Sequence, residues 1–329
     1  MKKGIFFVLM ALCILTNVFA NGTQEASGAS YPSGAVELVA LGSAGGGSDV
    51  LARNITDVIT TKNLCPQPVN VVNKAGGGGA VGIAYFSAKQ DADYNLMTIN
   101  STHCLLIHTT DVIKAGKKAW TPISCVATDE QTIVTRAESP YKTWADVEKA
   151  MKANPSSMTV GCCDDMDAMT LNILEQETGV KFNHTAYFAS SEIFTALLGG
   201  HIDFAIANPA EIVGLLEGGR VRVLGTFSPS RLSGLFAEVP TFTEMGYKGC
   251  QVQMIRGIVG PADMSRDVQL YWSNILKQVS ETEEWKNNYL NKNYLGATYM
   301  DCDQFTTFLE SHEANLVEFA KGNGIKVVR

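Results

Sequence analysis

The chain has 329 residues, of which 46% are hydrophobic and 18% charged, and its 26 Lys and Arg stand against 33 Asp and Glu for a formal charge of −7. That much apolar material supports a large core and excludes disorder driven by low hydrophobicity. The acidic balance gives no basic footprint for phosphate backbones, so no nucleic-acid partner is expected.

Lys2 and Lys3 precede an apolar run from Gly4 to Leu15, followed by Thr16, Asn17 and the small-residue ending Val18-Phe19-Ala20. This pattern predicts a signal peptide over residues 1–20, cleaved after Ala20, and a soluble periplasmic product. A membrane anchor needs about 20 apolar residues, and this run is shorter. Cleavage removes Lys2 and Lys3 and no acid, so 26 − 2 = 24 basic residues face 33 acidic ones, or −9. Asn21 to Ser30 reads as a flexible lead-in. Seven cysteines then remain, an odd number spread too widely for a disulfide scaffold.

Along the mature chain, Val36 to Leu41 reads as a strand and Asp49 to Lys62 as a helix, with a glycine loop between them. The unit repeats: strand Val69 to Val72, glycine loop Lys74 to Gly79, helix Ala80 to Lys89, then a strand at Asn95 to Ile99. Thr143 caps a helix from Trp144 to Asn154. Strand Met158 to Val160 runs through Gly161-Cys162-Cys163-Asp164-Asp165 into a helix at Met166 to Glu177. Strands follow at His184 to Tyr187, Phe204 to Ala207, Val221 to Thr226 and Val252 to Val259. Helices follow at Ile193 to Leu198, Ala210 to Glu217, Arg266 to Ser280, Glu283 to Asn291 and Gln304 to Lys321. Strands alternating with helices predict an α/β fold of mostly parallel sheets flanked by helices. No Pro- or Ser-rich linker separates the two alternating blocks, so two domains joined by crossing strands are expected: 31–127 plus 256–329, and 128–255. The crossings fall near Ala127 to Thr132 and near Cys250 to Gly257.

Gly45-Gly46-Gly47-Ser48-Asp49, preceded by Ala44, sits where a strand gives way to a helix. Bare N–H groups and a helix N-terminus there make an anion site. Asp49 is expected to cap the first-turn amides, leaving the loop amides open. Gly76-Gly77-Gly78-Gly79-Ala80 repeats the arrangement one strand over. Gly77-x-Gly79-x-x-Gly82 matches a dinucleotide pattern, and an exported oxidoreductase using a nucleotide is the alternative reading. Its ribose-binding acid is missing, because the next strand ends in Asn100-Ser101-Thr102. No P-loop lysine, metal-ligand spacing or G-x-S-x-G elbow is present, so no catalytic residue, metal or cofactor is expected.

Tyr31-Pro32 with Gly45-Gly46-Gly47-Ser48-Asp49-Val50-Leu51-Ala52-Arg53 resembles the opening of the extracytoplasmic receptors of tripartite tricarboxylate transporters, the Bug-type receptors. Asn73-Lys74-Ala75-Gly76-Gly77-Gly78-Gly79-Ala80-Val81-Gly82 is similar to their second loop, Ser101-Thr102-His103 to a polar turn, and Leu198-Gly199-Gly200-His201-Ile202-Asp203 to their L-G-G-x-V-D. Val239-Pro240-Thr241-Phe242-Thr243-Glu244-Met245-Gly246-Tyr247 and Gly257-Ile258-Val259-Gly260-Pro261 continue the likeness. The resemblance implies a two-domain periplasmic binding protein, or Venus flytrap, that closes on a small carboxylate held by loop amides. It also implies delivery to membrane permease subunits by a monomeric receptor, without catalysis. The candidate ligand-binding set adds Ser101, Thr102, His103, Cys162, Cys163, Asp164, Asp165, Ala189, Ser190, Asn208 and Arg256 to the two glycine loops. The chain departs from the family at Gly161-Cys162-Cys163-Asp164-Asp165-Met166-Asp167 and at Tyr187-Phe188-Ala189-Ser190-Ser191-Glu192. These acids either cap helices or attract an ammonium group, and Arg256 either neutralises them or clamps a distal carboxylate.

Overall fold

The computed structural model describes residues 31–114, 116–163, 165–187, 190–322 and 324–329, without the side chain of Asp165. The expected signal peptide and lead-in lie outside the described residues, as do Asp164, Phe188 and Ala189. Gly34–Arg329 forms one unit, described from here on.

Strands β1 Val36–Ala40, β2 Val69–Asn73 and β3 Asn95–Asn100 alternate with helices α1 Gly47–Thr61 and α2 Ala80–Ser87, because parallel neighbours need a crossover to bring the chain back. Helix α3 Ser101–Thr109 leads to β4 Thr121–Glu130. Every residue of β4 is buried. After Gln131 the chain enters a second sheet through β5 Thr132–Arg136, α4 Trp144–Ala153, β6 Thr159–Cys162 and α5 Asp165–Thr178. It continues with β7 Asn183–Ala186, α6 Ser190–Leu198, β8 Phe204–Ala207, α7 Pro209–Glu217 and β9 Val221–Thr226. It returns to the first sheet as β10 Gln253–Gly260 and closes with α8 Arg266–Glu281, α9 Glu283–Trp285 and α10 Cys302–Gly322.

The sheet orders are β2-β1-β3-β10-β4 and β7-β6-β8-β5-β9. In each, three parallel strands meet an antiparallel one: β10 runs against β3 and β4, and β5 against β8 and β9. These are the strands that enter a sheet from the other lobe, so their direction is set by the crossing rather than by a helical crossover. The crossings are tied together, with Phe227 N donating to Gln131 O at 2.9 Å and Val252 N to Phe227 O at 3.1 Å.

Several elements depart from the sequence pattern, among them β4 and β5, of which only the crossing near Ala127 to Thr132 was expected. The predicted helix Glu283 to Asn291 is a single α turn, capped by the Thr282 hydroxyl accepting from Trp285 N at 3.1 Å, that widens into a π-helical stretch Lys286–Asn291. Helix α3 had no predicted counterpart. The expected Thr143 cap is present, accepting from Asp146 N at 3.3 Å. In the second lobe Trp144 packs edge-on to Phe242 at 5.1 Å and Phe182 edge-on to Phe204 at 5.6 Å. These rings fill the space between α4 and its sheet. Cys65, Cys104, Cys125, Cys250 and Cys302 are free thiols, all but Cys65 buried, and Cys162 is buried as well.

Candidate functional site

The first glycine loop is locked by its own helix. Asp49, only 2% exposed, turns back to accept from Gly45 N at 2.8 Å, takes Arg53 Nε at 3.0 Å and takes Asn73 Nδ2 at 2.9 Å. The Arg53 guanidinium, then the loop amide and Asn73, hold its carboxyl down at about 2 against the opposing effect of burial. The expectation that Asp49 caps the first turn is therefore corrected. Helix α1 starts from Gly46 without a side-chain cap, because Asp49 is committed to the preceding loop. Gly46 N donates to Ser43 O at 3.0 Å. Among the described residues the amides of Gly47 and Ser48, in the first turn where the helix dipole favours an anion, have no protein acceptor.

The second loop has φ values of 126°, 57°, 61° and 109° at Gly76, Gly77, Gly78 and Gly79, a run that side chains with a Cβ would oppose at every step. Gly79 N and Val81 N both donate to Gly76 O, at 3.1 and 3.3 Å, and Ala80 N donates to Gly77 O. Gly77 N–H and Gly78 N–H take no protein acceptor among the described residues. Asn73 joins the two loops, since its Nδ2 also donates to Gly42 O at 3.2 Å.

His103 underlies the second loop. A Cβ on Gly79 would lie 2.5 Å from its Cδ2 and 2.8 Å from its Nε2, so the imidazole rests on bare backbone. Its Nδ1 accepts from Asn100 N at 3.0 Å while Asn100 Oδ1 accepts from His103 N at 3.1 Å. That bond assigns the proton to Nε2. Burial, with the nearby Arg256 charge adding to it, pushes the imidazole down to about 4, so His103 is a neutral donor at physiological pH.

Arg256, on β10, connects this region to the other lobe. Its Nη1 would lie 2.7 Å from a Cβ on Gly47, its Nη2 pairs with Asp129 Oδ2, and its buried Nε has no partner among the described residues. Asp129 Oδ1 in turn accepts from Asn208 Nδ2 at 2.8 Å. Gly47, Arg256, His103 and Gly79 thus lie in sequence around one region. Gly45, Gly47, Asp129, Asn208, Glu211, Arg256, Tyr289 and Asn293 line a cavity of about 320 Å³ there, with walls from both lobes.

The second lobe repeats the first loop's device. Asp167, 4% exposed, accepts from Cys163 N, four residues back, at 2.9 Å and from Gln131 Nε2 at 2.8 Å. Cys163 Sγ lies 3.3 Å from Asp167 Oδ2 and 3.6 Å from Ser190 Oγ. Ser190 Oγ donates to Glu211 Oε1 at 2.7 Å, and Asn208 N donates to Glu211 Oε2 at 3.0 Å.

The remaining expected residues are spread around this frame. Ala44 is exposed and Ala80 and Thr102 are half-buried, while Cys162 is buried at the end of β6. Ser101 is fully buried, and its hydroxyl oxygen accepts from Ile255 N at 3.1 Å and meets His312 Nε2 at 2.9 Å. Ser101 therefore spends its polar group on joining β10 and α10. Asp164, Ala189 and the Asp165 side chain lie outside the described residues. Glu192 is exposed in the first turn of α6. Sequence reasoning missed Asp129 and Glu211; the i, i+3 pairing of Asn208 with Glu211 at a helix start is the signal that could have found the latter.

A larger cavity, about 800 Å³, lies between α5 and α10 over residues 249–253. It includes none of the open loop amides, so the smaller cavity is the candidate site. Among the described residues no three metal-ligating side chains cluster, and no helix is long and apolar enough to cross a membrane.

The description "Tripartite tricarboxylate transporter family receptor" matches residues 51–321. A UPF0065 protein in the gbd 5′ region of Cupriavidus necator is 28% identical over 286 residues, 86% of each chain. Among solved structures, a TctC solute binding protein from Polaromonas superposes with a TM-score of 0.75 at 24% identity, over 89% of this chain and 100% of that one. The R. palustris protein Rpa4515 with adipate superposes with a TM-score of 0.71 at 19% identity, over 90% and 99%.

Proposed function

We propose that this chain, which belongs to the tripartite tricarboxylate transporter receptor family, captures one small carboxylate per molecule between its lobes and hands it unchanged to membrane permease subunits. The lobes are read as 31–127 plus 256–329 and 128–255, in a periplasmic monomer freed of its signal peptide after Ala20. The observation that carries the reading is that, among the described residues, the amides of Gly47, Ser48, Gly77 and Gly78 have no protein acceptor, in two loops linked through Arg256 and the neutral His103. Backbone amides with a helix N-terminus recognise an anion without a counter-charge to desolvate. Adipate bound to a protein of the same fold supports the ligand class.

Ligand binding stabilises the folded state by about 2.7 kcal/mol at a hundredfold excess over Kd. For ~300 ordered residues the unfolding entropy is about 0.6 kcal/mol/K, so a shift of about 4 °C is expected from the right acid. A melting screen of mono-, di- and tricarboxylates and amino acids at millimolar concentration tests this, and no shift from any of them refutes carboxylate capture.

A further inference from the structure

We propose that Glu211 selects the ligand's far end, so that the receptor prefers a carboxylate carrying a distal ammonium group over a dicarboxylate of the same length. The proposal rests on the carboxylate-capture reading and adds the second half of the ligand.

The walls of the cavity differ in chemistry. On the first lobe stand donors: the first-turn amide of Gly47 and the Arg256 guanidinium. On the second lobe the described polar side chains that are not already turned to the crossing strand are acceptors. Asn208 does not offset them, since its Nδ2 is spent on Asp129 Oδ1 and Glu130 O. Glu211 lines the cavity and is held by neutral donors, the Ser190 hydroxyl and the Asn208 amide.

Charge decides which ligand end fits. Arg256 and Asp129 form a closed pair with side-chain exposures of 19% and 7%, so they cancel at the cavity wall. Glu211 is then the charge left over among the described residues lining it. A second ligand carboxylate entering beside Glu211 meets its uncompensated negative charge. An ammonium group instead finds a carboxylate oxygen with lone pairs to spare. Glu211 also completes a capping box at the start of α7. A cap acts on stability, whereas a ligand contact acts on preference between ligands, which makes the two roles separable.

The probes are pairs of equal carbon number: succinate with 4-aminobutanoate, glutarate with 5-aminopentanoate, and adipate with 6-aminohexanoate. Calorimetry on the wild-type mature protein is expected to show one aminocarboxylate binding at least tenfold tighter than its dicarboxylate partner. Glu211→Gln is expected to erase that preference while carboxylate binding persists. Ser190→Ala, which keeps the Glu211 charge and removes a neutral donor, is expected to keep it. A wild-type preference for dicarboxylates, or one unchanged in Glu211→Gln, overturns the assignment of Glu211 while leaving carboxylate capture standing. Silence from every probe overturns both.

Discussion

Gly78 and Gly79 are neighbours with positive φ, 61° and 109°, yet replacing each by alanine should have different consequences. At Gly78 a Cβ meets nothing within 4 Å, so the cost is left-handed backbone strain of about 1–2 kcal/mol. At Gly79 the same strain is joined by a collision, because the new Cβ would lie 2.5 Å from His103 Cδ2, against 3.4 Å for ordinary contact. A buried imidazole must move by 3.4 − 2.5 = 0.9 Å, enough to break its bond from Asn100 N, which adds about 1–3 kcal/mol. With an unfolding entropy of about 0.6 kcal/mol/K, Gly78→Ala should lower Tm by about 2–3 °C and Gly79→Ala by about 3–8 °C. The double variant Gly79→Ala with His103→Ser removes the collision partner and should recover part of the difference. Gly78→Leu should melt like Gly78→Ala but lose ligand binding, since its side chain stands in the space the ligand needs. Calorimetric melts and titrations on the four variants check this. Equal melting of the two alanine variants would refute the packing of His103 on the loop.

Arg256→Met should cost about 3–5 kcal/mol by stranding the buried Asp129 carboxylate, and Asp129→Asn in the same chain should restore most of it; additive losses in a double-mutant cycle would refute the pairing. Gly47→Ala needs no positive φ and gains helix propensity of up to about 1 kcal/mol, but its methyl displaces Arg256, so affinity should fall with stability nearly unchanged, and wild-type affinity would sink the idea. Stability should also rise with pH between about 4.5 and 6.5, because buried His103 and His312, both pushed down to about 4, hold fewer protons folded than unfolded. Glu130, pushed up to about 7 by burial, opposes them by holding a proton that the unfolded chain has lost. Two against one leaves a slope of about 1.4 kcal/mol per pH unit from these groups. Glu130→Gln should steepen the slope, and a profile unchanged by that substitution would contradict the assignment.

The alternation of strands and helices was legible because each short strand is bounded by a glycine loop or a cap, and the two glycine loops announced themselves by composition. Helix α3 was hidden: Ser101, His103, Cys104, Leu105 and Ile107 are all buried, so no polar face alternates with an apolar one, and its cap pairs Asn100 with a histidine rather than the usual Glu or Gln. Strand β4 was hidden for the same reason, being buried on both faces, and only its crossing end was expected. In the site, residue types predicted donors but not their commitments. Gly45 N belongs to Asp49 and the Ser101 hydroxyl to Ile255 and His312, facts set by side chains that arrive from elsewhere in the fold. The Arg256–Asp129 pair spans 127 positions, a separation no local pattern encodes.

The recurrence of one device in both lobes bears on how binding would be achieved. Asp49 holds the amide four residues before it, Asp167 does the same, and each is anchored again, to Arg53 and Asn73 in one case and to Gln131 in the other. Loops fixed in this way incur little ordering cost when an anion arrives, because their dipoles already point where the charge will sit. At the crossing, Gln131 hydrogen-bonds Phe227 through its carbonyl and Asp167 through its side chain. The crossing strand and the Cys163 loop are thereby tied together through Asp167. Donor loops fixed in advance suit a receptor that must hold a solute and release it intact.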